Sequence, residues 1–325
     1  MLKPNRRDVL RTGGAVVAAV AAGCAPKQPG STKPNGVIIG EPIPDEVGRA
    51  VLADGGNVVD AVVAAALAAG VVSVPACGIA GYGGHMTLAF ADTGKVTSID
   101  FNSIAPAALR DDYFTVDENG QVPGKVNEHG WLAAGVPGTL AGLQLAIERY
   151  GTRTLAEALQ PAIGYARDGF PVTGHIARSI VSAREQFDKD PGSQRLFFRD
   201  GKALREGDTF YNPDLAEMLE TLAERGSADS FYRGDIAERI VEQFQKNGGV
   251  ATVDDFAALQ AREVEPVRLD WEGDVIYTGP LTAGGTTTIQ ILTTLRALDW
   301  TSIEDPLRRR HAQLEAMRIA WGDRL

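Results

Sequence analysis

A chain of 325 residues, 44% hydrophobic and 23% charged, has material for one large core or two ordinary domains. Its net charge of −10, with Lys and Arg scattered, excludes a basic stripe that would track nucleic acid; the scattered Asp and Glu read as a solvated acidic surface. Two cysteines, Cys24 and Cys77, imply no disulfide framework, and Cys77 in Val-Pro-Ala-Cys-Gly is expected to be a small buried apolar residue.

The first residues read as an address. Arg6-Arg7 precede an apolar run from Ala15 to Ala22, too short to span a bilayer, and resemble a twin-arginine export signal. Ala21-Ala22-Gly23-Cys24 resembles a lipoprotein cleavage box, in which the Cys24 thiol takes the lipid. The alternative is a plain signal peptide cut near Ala22, with Cys24 incidental. Residues 1–24 are thus the signal, and residues 25–35, rich in Pro, Gly, Ser and Lys, form a disordered tether. The expected location is exported: periplasmic, or extracytoplasmic and membrane-anchored. Residues 36–325 follow as one region without a second linker.

Pro44 to Asp54 reads as a helix ended by Gly55-Gly56. Asn57 caps a second helix, with Asp60 completing a capping box, and its almost wholly apolar run over 58–69 is expected to be buried on all sides. Met86–Phe90 and Val96–Phe101 form a hairpin around Ala91–Lys95. Thr139–Tyr150 is helical and stops at Gly151. Thr154 and Glu157 open another helix by a capping box, and Pro161 is expected to kink it. Asn212-Pro213 starts a helix with Leu215, Met218, Leu219 and Leu222 on its apolar side, and Asp235–Asn247 is another, closed by Gly248-Gly249. Val264–Trp271 and Val275–Tyr277 read as strands, and helices finish the chain near 287–298 and 306–324. Hairpins and helices mixed without strict βαβ alternation favour an α+β arrangement.

Among chemistry-bearing groups, the glycines of Gly78–Gly84 are the sharpest candidate. They let backbone approach a ligand, or else merely permit tight helix-to-strand packing; the P-loop lysine is absent. Thr286-Thr287-Thr288 lack the α-amine that activates an N-terminal threonine and are expected to cap a helix. His85, His129, His175 and His311 lack metal-ligand spacing, so no metal is assigned and surface or supporting roles are expected. Ser103, Ser179 and Ser182 lie in no nucleophile elbow.

Gly55–Phe90 and Gly135–Gly151 resemble the γ-glutamyltransferase family. Ala166–Val172, Phe231–Ala237, Gly248-Gly249 with Asp254-Asp255-Phe256, and His311–Ala316 match it too, so the similarity runs from about Pro44 to Leu325. The resemblance implies the αββα sandwich of N-terminal-nucleophile hydrolases, incomplete without a C-terminal half. It implies a precursor that cleaves itself before a threonine lying beyond Leu325. That threonine then attacks a γ-glutamyl amide such as glutathione, and the acyl-enzyme passes its acyl group to water or an amino acid. It implies no cofactor, and a partner in the chain's own C-terminal small subunit, so these residues alone are expected to be inactive and unstable. The family writes Asp-Phe-Arg-Glu where this chain has Asp100-Phe101-Asn102-Ser103, and the family's arginine grips the α-carboxylate of the glutamyl group. Asn102 and Ser103 are therefore the substrate-binding candidates. With a neutral amide for a guanidinium fork, either the acyl group differs from glutamyl or another cation supplies the grip. Two alternatives stand beside this reading: an acylase or amidase of the same fold, and a non-catalytic lipid-anchored scaffold if the chain ends at Leu325.

Overall fold

The computed structural model describes residues 36–324 apart from Pro75, Leu281 and Ala283. Arg6, Arg7, Cys24 and the expected signal and tether lie outside the described residues.

Helix α1 (Pro42–Ala53) has prolines in its first turn, where a missing N–H costs nothing. Helix α2 (Val58–Val72) starts at the expected capping box. The Asn57 side chain accepts from Val59 N and Asp60 N at 2.8 and 2.9 Å, and the Asp60 carboxylate accepts from Asn57 N at 2.8 Å. The helix buries Val63, Leu67 and Val71, each contributing about 1.5–3 kcal/mol. It is not buried all round: Val58 is 53% exposed and Val62 is exposed on the same stripe, because nothing among the described residues covers that side. Cys77 corrects its expectation in the same way. The helix ends at Val72, and the following turn leaves the cysteine exposed, its thiol 3.3 Å from Ala69 O.

Strands β1 (His85–Ala89) and β2 (Val96–Asp100) form the expected antiparallel hairpin. Helix α3 (Thr139–Tyr150) stops at Gly151, and α4 (Leu155–Asp168) opens on Thr154 and Glu157 and runs through Pro161 as one element. Between α4 and α8 (Pro213–Arg225) lie β3 (Phe170–Pro171), α5 (Gly174–Ser182), α6 (Arg184–Phe187), α7 (Pro191–Phe197), β4 (Phe198–Arg199), β5 (Lys202–Ala203) and β6 (Thr209–Phe210). Then come α9 (Asp229–Arg233), α10 (Asp235–Lys246) and α11 (Val253–Ala258). Helices α1, α3 and α4 pack against α2, and α8 packs against α4, so small residues at the centre let helices approach closely.

The expected strand over Val264–Trp271 breaks at Pro266, which has no N–H to give a ladder. Strand β7 (Arg262–Val264) joins β2, whereas β8 (Val267–Trp271) pairs with β9 (Asp274–Thr278). The resulting sheet, ordered β1-β2-β7, has unpaired outer edges among the described residues. The last helices are α12 (Gly285–Ala297) and α13 (Pro306–Arg324). Helix α13 packs on α12 and buries Ala316 and Ala320, yet Leu307, Leu314, Met317, Ile319 and Trp321 are exposed. That much bare apolar surface on one helix marks a face built to be covered.

Glu263 ties the sheet to α3. Tyr150 Oη, Lys95 Nζ and Thr97 Oγ1 donate to it at 2.6, 2.9 and 2.8 Å, and Arg149 pairs with its other oxygen. The Tyr150 hydroxyl, then Lys95, Thr97 and Arg149, outweigh burial and hold its carboxyl at about 2. The folded value lies below the unfolded one, so this stability is present above pH ~4.5 and is lost as pH falls towards ~2. Glu263→Gln is expected to cost about 1–2 kcal/mol at pH 7, discounted because its cationic partners are half exposed, and close to nothing at pH ~2. Urea titrations at both pH values check this; an equal cost at both would contradict it.

Candidate functional site

The segment after β2 is held by close packing around one residue. Gly83 sits at φ +94°, and a Cβ there would lie 1.9 Å from Phe101 O. A Cβ on Gly138 would meet the same oxygen at 1.9 Å. No other residue fits these two positions. The Phe101 amide donates to Gly84 O at 2.9 Å, and Ser103 N donates to Tyr82 O at 2.6 Å. One residue on, Ile104 and Val136 exchange backbone hydrogen bonds. The glycines of Gly78–Gly84 thus approach Phe101, a packing role, and the two family-like stretches converge on the loop carrying Asn102 and Ser103.

Beside that loop lies a cavity of about 420 Å³, lined by Asp100, Asn102, Ser103, Ile104, Ala258, Gln260, Arg262 and Thr282. Its charged wall follows from sheet register. His85 on β1 is opposite Asp100 on β2, which is opposite Arg262 on β7, so all three side chains share one face. Asn102 Nδ2 donates to Asp100 Oδ1 at 2.8 Å and lies 3.2 Å from His85 Nδ1; Asn102 N donates to Asp100 Oδ1 at 3.2 Å. The His85 Nε2 is 3.4 Å from Asp100 Oδ1, and its side chain is 5% exposed. Burial raises the Asp100 pKa, but the two Asn102 hydrogen bonds, with His85 and Arg262 beside them, outweigh it and leave the carboxyl below its ordinary value. Asp100 is therefore ionised at neutral pH, and Asn102 is locked between it and His85.

The structure brings Asn102 and Ser103 together in one cavity. His129, His175 and His311 lie elsewhere, on a loop, on α5 and on α13. His85 is buried against Asp100 and lies beside Asn102. Among the described residues no three His, Cys, Asp or Glu side chains gather as a metal group. The threonines at the start of α12 do not cap it. Gly284 holds the cap position without a side-chain bond, and Thr288 Oγ1 donates back to Gly284 O at 3.3 Å. The threonines lie in the first turn of the helix rather than before it.

Other family-like motifs are structural. The Tyr232 hydroxyl donates to Pro137 O at 2.9 Å and accepts from Ala141 N at 3.1 Å, pinning α9 to the start of α3; burial pushes its pKa up. Asp255 accepts from Ala107 N at 2.8 Å, tying α11 to the segment after the Asn102 loop.

Comparison with known proteins identifies the family. The family model described as Gamma-glutamyltranspeptidase matches residues 45–325. The glutathione hydrolase proenzyme of Escherichia coli K12 is 40% identical over 256 residues, covering 78% of this chain and 43% of that protein. The crystal structure of Helicobacter pylori gamma-glutamyltranspeptidase superposes with a TM-score of 0.82 at 35% identity, covering 91% of this chain and 85% of that one. A cephalosporin acylase from Bacillus halodurans gives 0.74 at 28% identity, covering 86% and 52%. The chain spans about half the length of the curated relatives it matches. Its α+β fold is of the N-terminal-nucleophile hydrolase type, and the chain belongs to the γ-glutamyltranspeptidase family.

Proposed function

We propose that the complete protein is an exported amidohydrolase or acyltransferase that cleaves γ-glutamyl amides such as glutathione through a threonine acyl-enzyme. In this reading, residues 36–325 form the large-subunit part of a self-cleaving precursor. The reactive threonine lies on polypeptide outside them, and Cys24 carries a lipid anchor after export by the Arg6-Arg7 signal. The observation that carries it is the convergence of the family-like stretches on Phe101, which sets a polar, charged cavity beside Asn102 and Ser103. The bare apolar face of α13 and the unpaired edges of the β1-β2-β7 sheet suit a small subunit as the cover.

The large-subunit residues would bind and orient the acyl group and keep it out of bulk water, while the threonine and its own amine do the bond chemistry. A second reading has one observation behind it. Asn102 stands where the family has an arginine, and its amide is tied to Asp100 and His85, which suits an acylase with a different acyl group. The test is aniline release from anilide donors by the complete gene product. Turnover of γ-glutamyl anilide in preference to glutaryl anilide is expected; the reverse preference would favour the acylase, and no turnover of either would contradict both.

A further inference from the structure

Among the described residues that line the cavity beside Asn102 there is a single cation. Arg262 opens β7, and its register opposite Asp100 sets the guanidinium on the sheet face that carries the Asp100 carboxylate. The two share one contact, Arg262 Nη2 donating to Asp100 Oδ2 at 3.3 Å, and the Arg262 side chain is 70% exposed. A guanidinium has five N–H donors, so a single long contact leaves most of the fork open to the cavity.

Asn102 is in the opposite condition. Its Nδ2 donates to Asp100 Oδ1 at 2.8 Å and lies 3.2 Å from His85 Nδ1, so the amide NH2 is turned into the chain. Rotating the amide to free it would leave the buried His85 and the Asp100 carboxylate without that donor. An anion entering the cavity therefore meets no free donor on Asn102. Asp100 does not repel it as a bare charge would, because Asn102 N, Asn102 Nδ2 and Arg262 all donate to it. The remaining side-chain donors among the described lining residues are the Ser103 and Thr282 hydroxyls, the Gln260 amide and Arg262. Only the last is charged, and its planar fork matches a carboxylate.

We propose that Arg262 is the specificity-determining residue of this cavity, and that it fixes a carboxylate at the far end of the acyl group from the scissile amide. The proposal rests on the functional reading above, in which the cavity is the acyl pocket. It moves the charge from the loop that carries Asn102 to the neighbouring strand, and it makes the acyl class carboxylate-bearing despite the neutral residue at position 102.

The test uses the complete protein with Arg262→Met and Arg262→Lys. Two donors are compared: γ-glutamyl anilide, and 4-aminobutyryl anilide, which has the same amide and no second carboxylate. Arg262→Met is expected to raise KM for the γ-glutamyl donor about 10- to 100-fold with kcat within about threefold, and to leave the 4-aminobutyryl donor unchanged. Arg262→Lys should recover part of the loss, since it restores charge without the fork. An unchanged KM, or an equal rise for both donors, would overturn the proposal. Calorimetric binding of L-glutamate and 4-aminobutyrate to the same proteins separates this result from the reaction. Glutamate binding that falls with Arg262→Met sustains the role of Arg262 even if no amide is turned over. Glutamate binding that is absent, or indifferent to the substitution, removes it.

Discussion

Asp60→Ala will cost the protein about 3–5 kcal/mol, close to the whole stability of many domains. Asp60 is 1% exposed. Its carboxylate accepts from Asn57 N and Thr152 N at 2.8 Å each, from Thr152 Oγ1 at 2.6 Å and from Arg153 N at 3.0 Å. These bonds cap α2 and stitch its start to the turn between α3 and α4. Asn57 Nδ2 adds a bond to Tyr150 O at 2.7 Å across the same seam. Alanine would strand several buried donors, and a stranded donor costs more than a made bond gains. Asp60→Asn, which keeps an acceptor of the same shape, should cost less, about 1–3 kcal/mol. Burial raises the Asp60 pKa, but the bonds from Thr152, Asn57 and Arg153 outweigh it and leave the carboxyl below its ordinary value. The stability it gives is therefore present above pH ~4 and lost as pH falls through the folded value. Urea unfolding at pH 7 and at pH ~3 measures both effects. A loss below about 1 kcal/mol at pH 7 would show that the seam is carried by packing instead.

Local chemistry was the legible part of this molecule. The capping boxes at Asn57 and Thr154 and the stop at Gly151 are decided by residues a few positions apart, and each stands where the sequence puts it. The hairpin register is legible too. With Phe90 N bonded to Lys95 O at 2.9 Å, counting back along both strands sets His85 opposite Asp100. A search for metal spacing alone passes over that pairing. Arg262 could not be found this way: it meets Asp100 from 162 positions along the chain, and no local pattern encodes the approach. Cys77 misleads because its neighbours are apolar, while its exposure depends on where α2 ends. The run from Val264 to Trp271 is β-like throughout, and only Pro266 signals that it serves two different sheets.

The second large effect concerns where the reaction takes place. Within the described residues, the threonines beside the glycine pair at 284–285 are internal and have no α-amine to serve as base. Thr287 is buried with its hydroxyl 3.3 Å from Arg324 Nη1, and Thr288 is spent on Gly284 O. On the proposed reading, the nucleophile belongs to polypeptide outside residues 36–325. The direct measurement is to treat the complete processed protein with a slowly released γ-glutamyl electrophile and locate the added mass by peptide mass spectrometry. One acyl group on an N-terminal threonine, in a chain distinct from residues 36–325, is the predicted result. A stoichiometric label on any side chain within residues 36–325 would contradict the account.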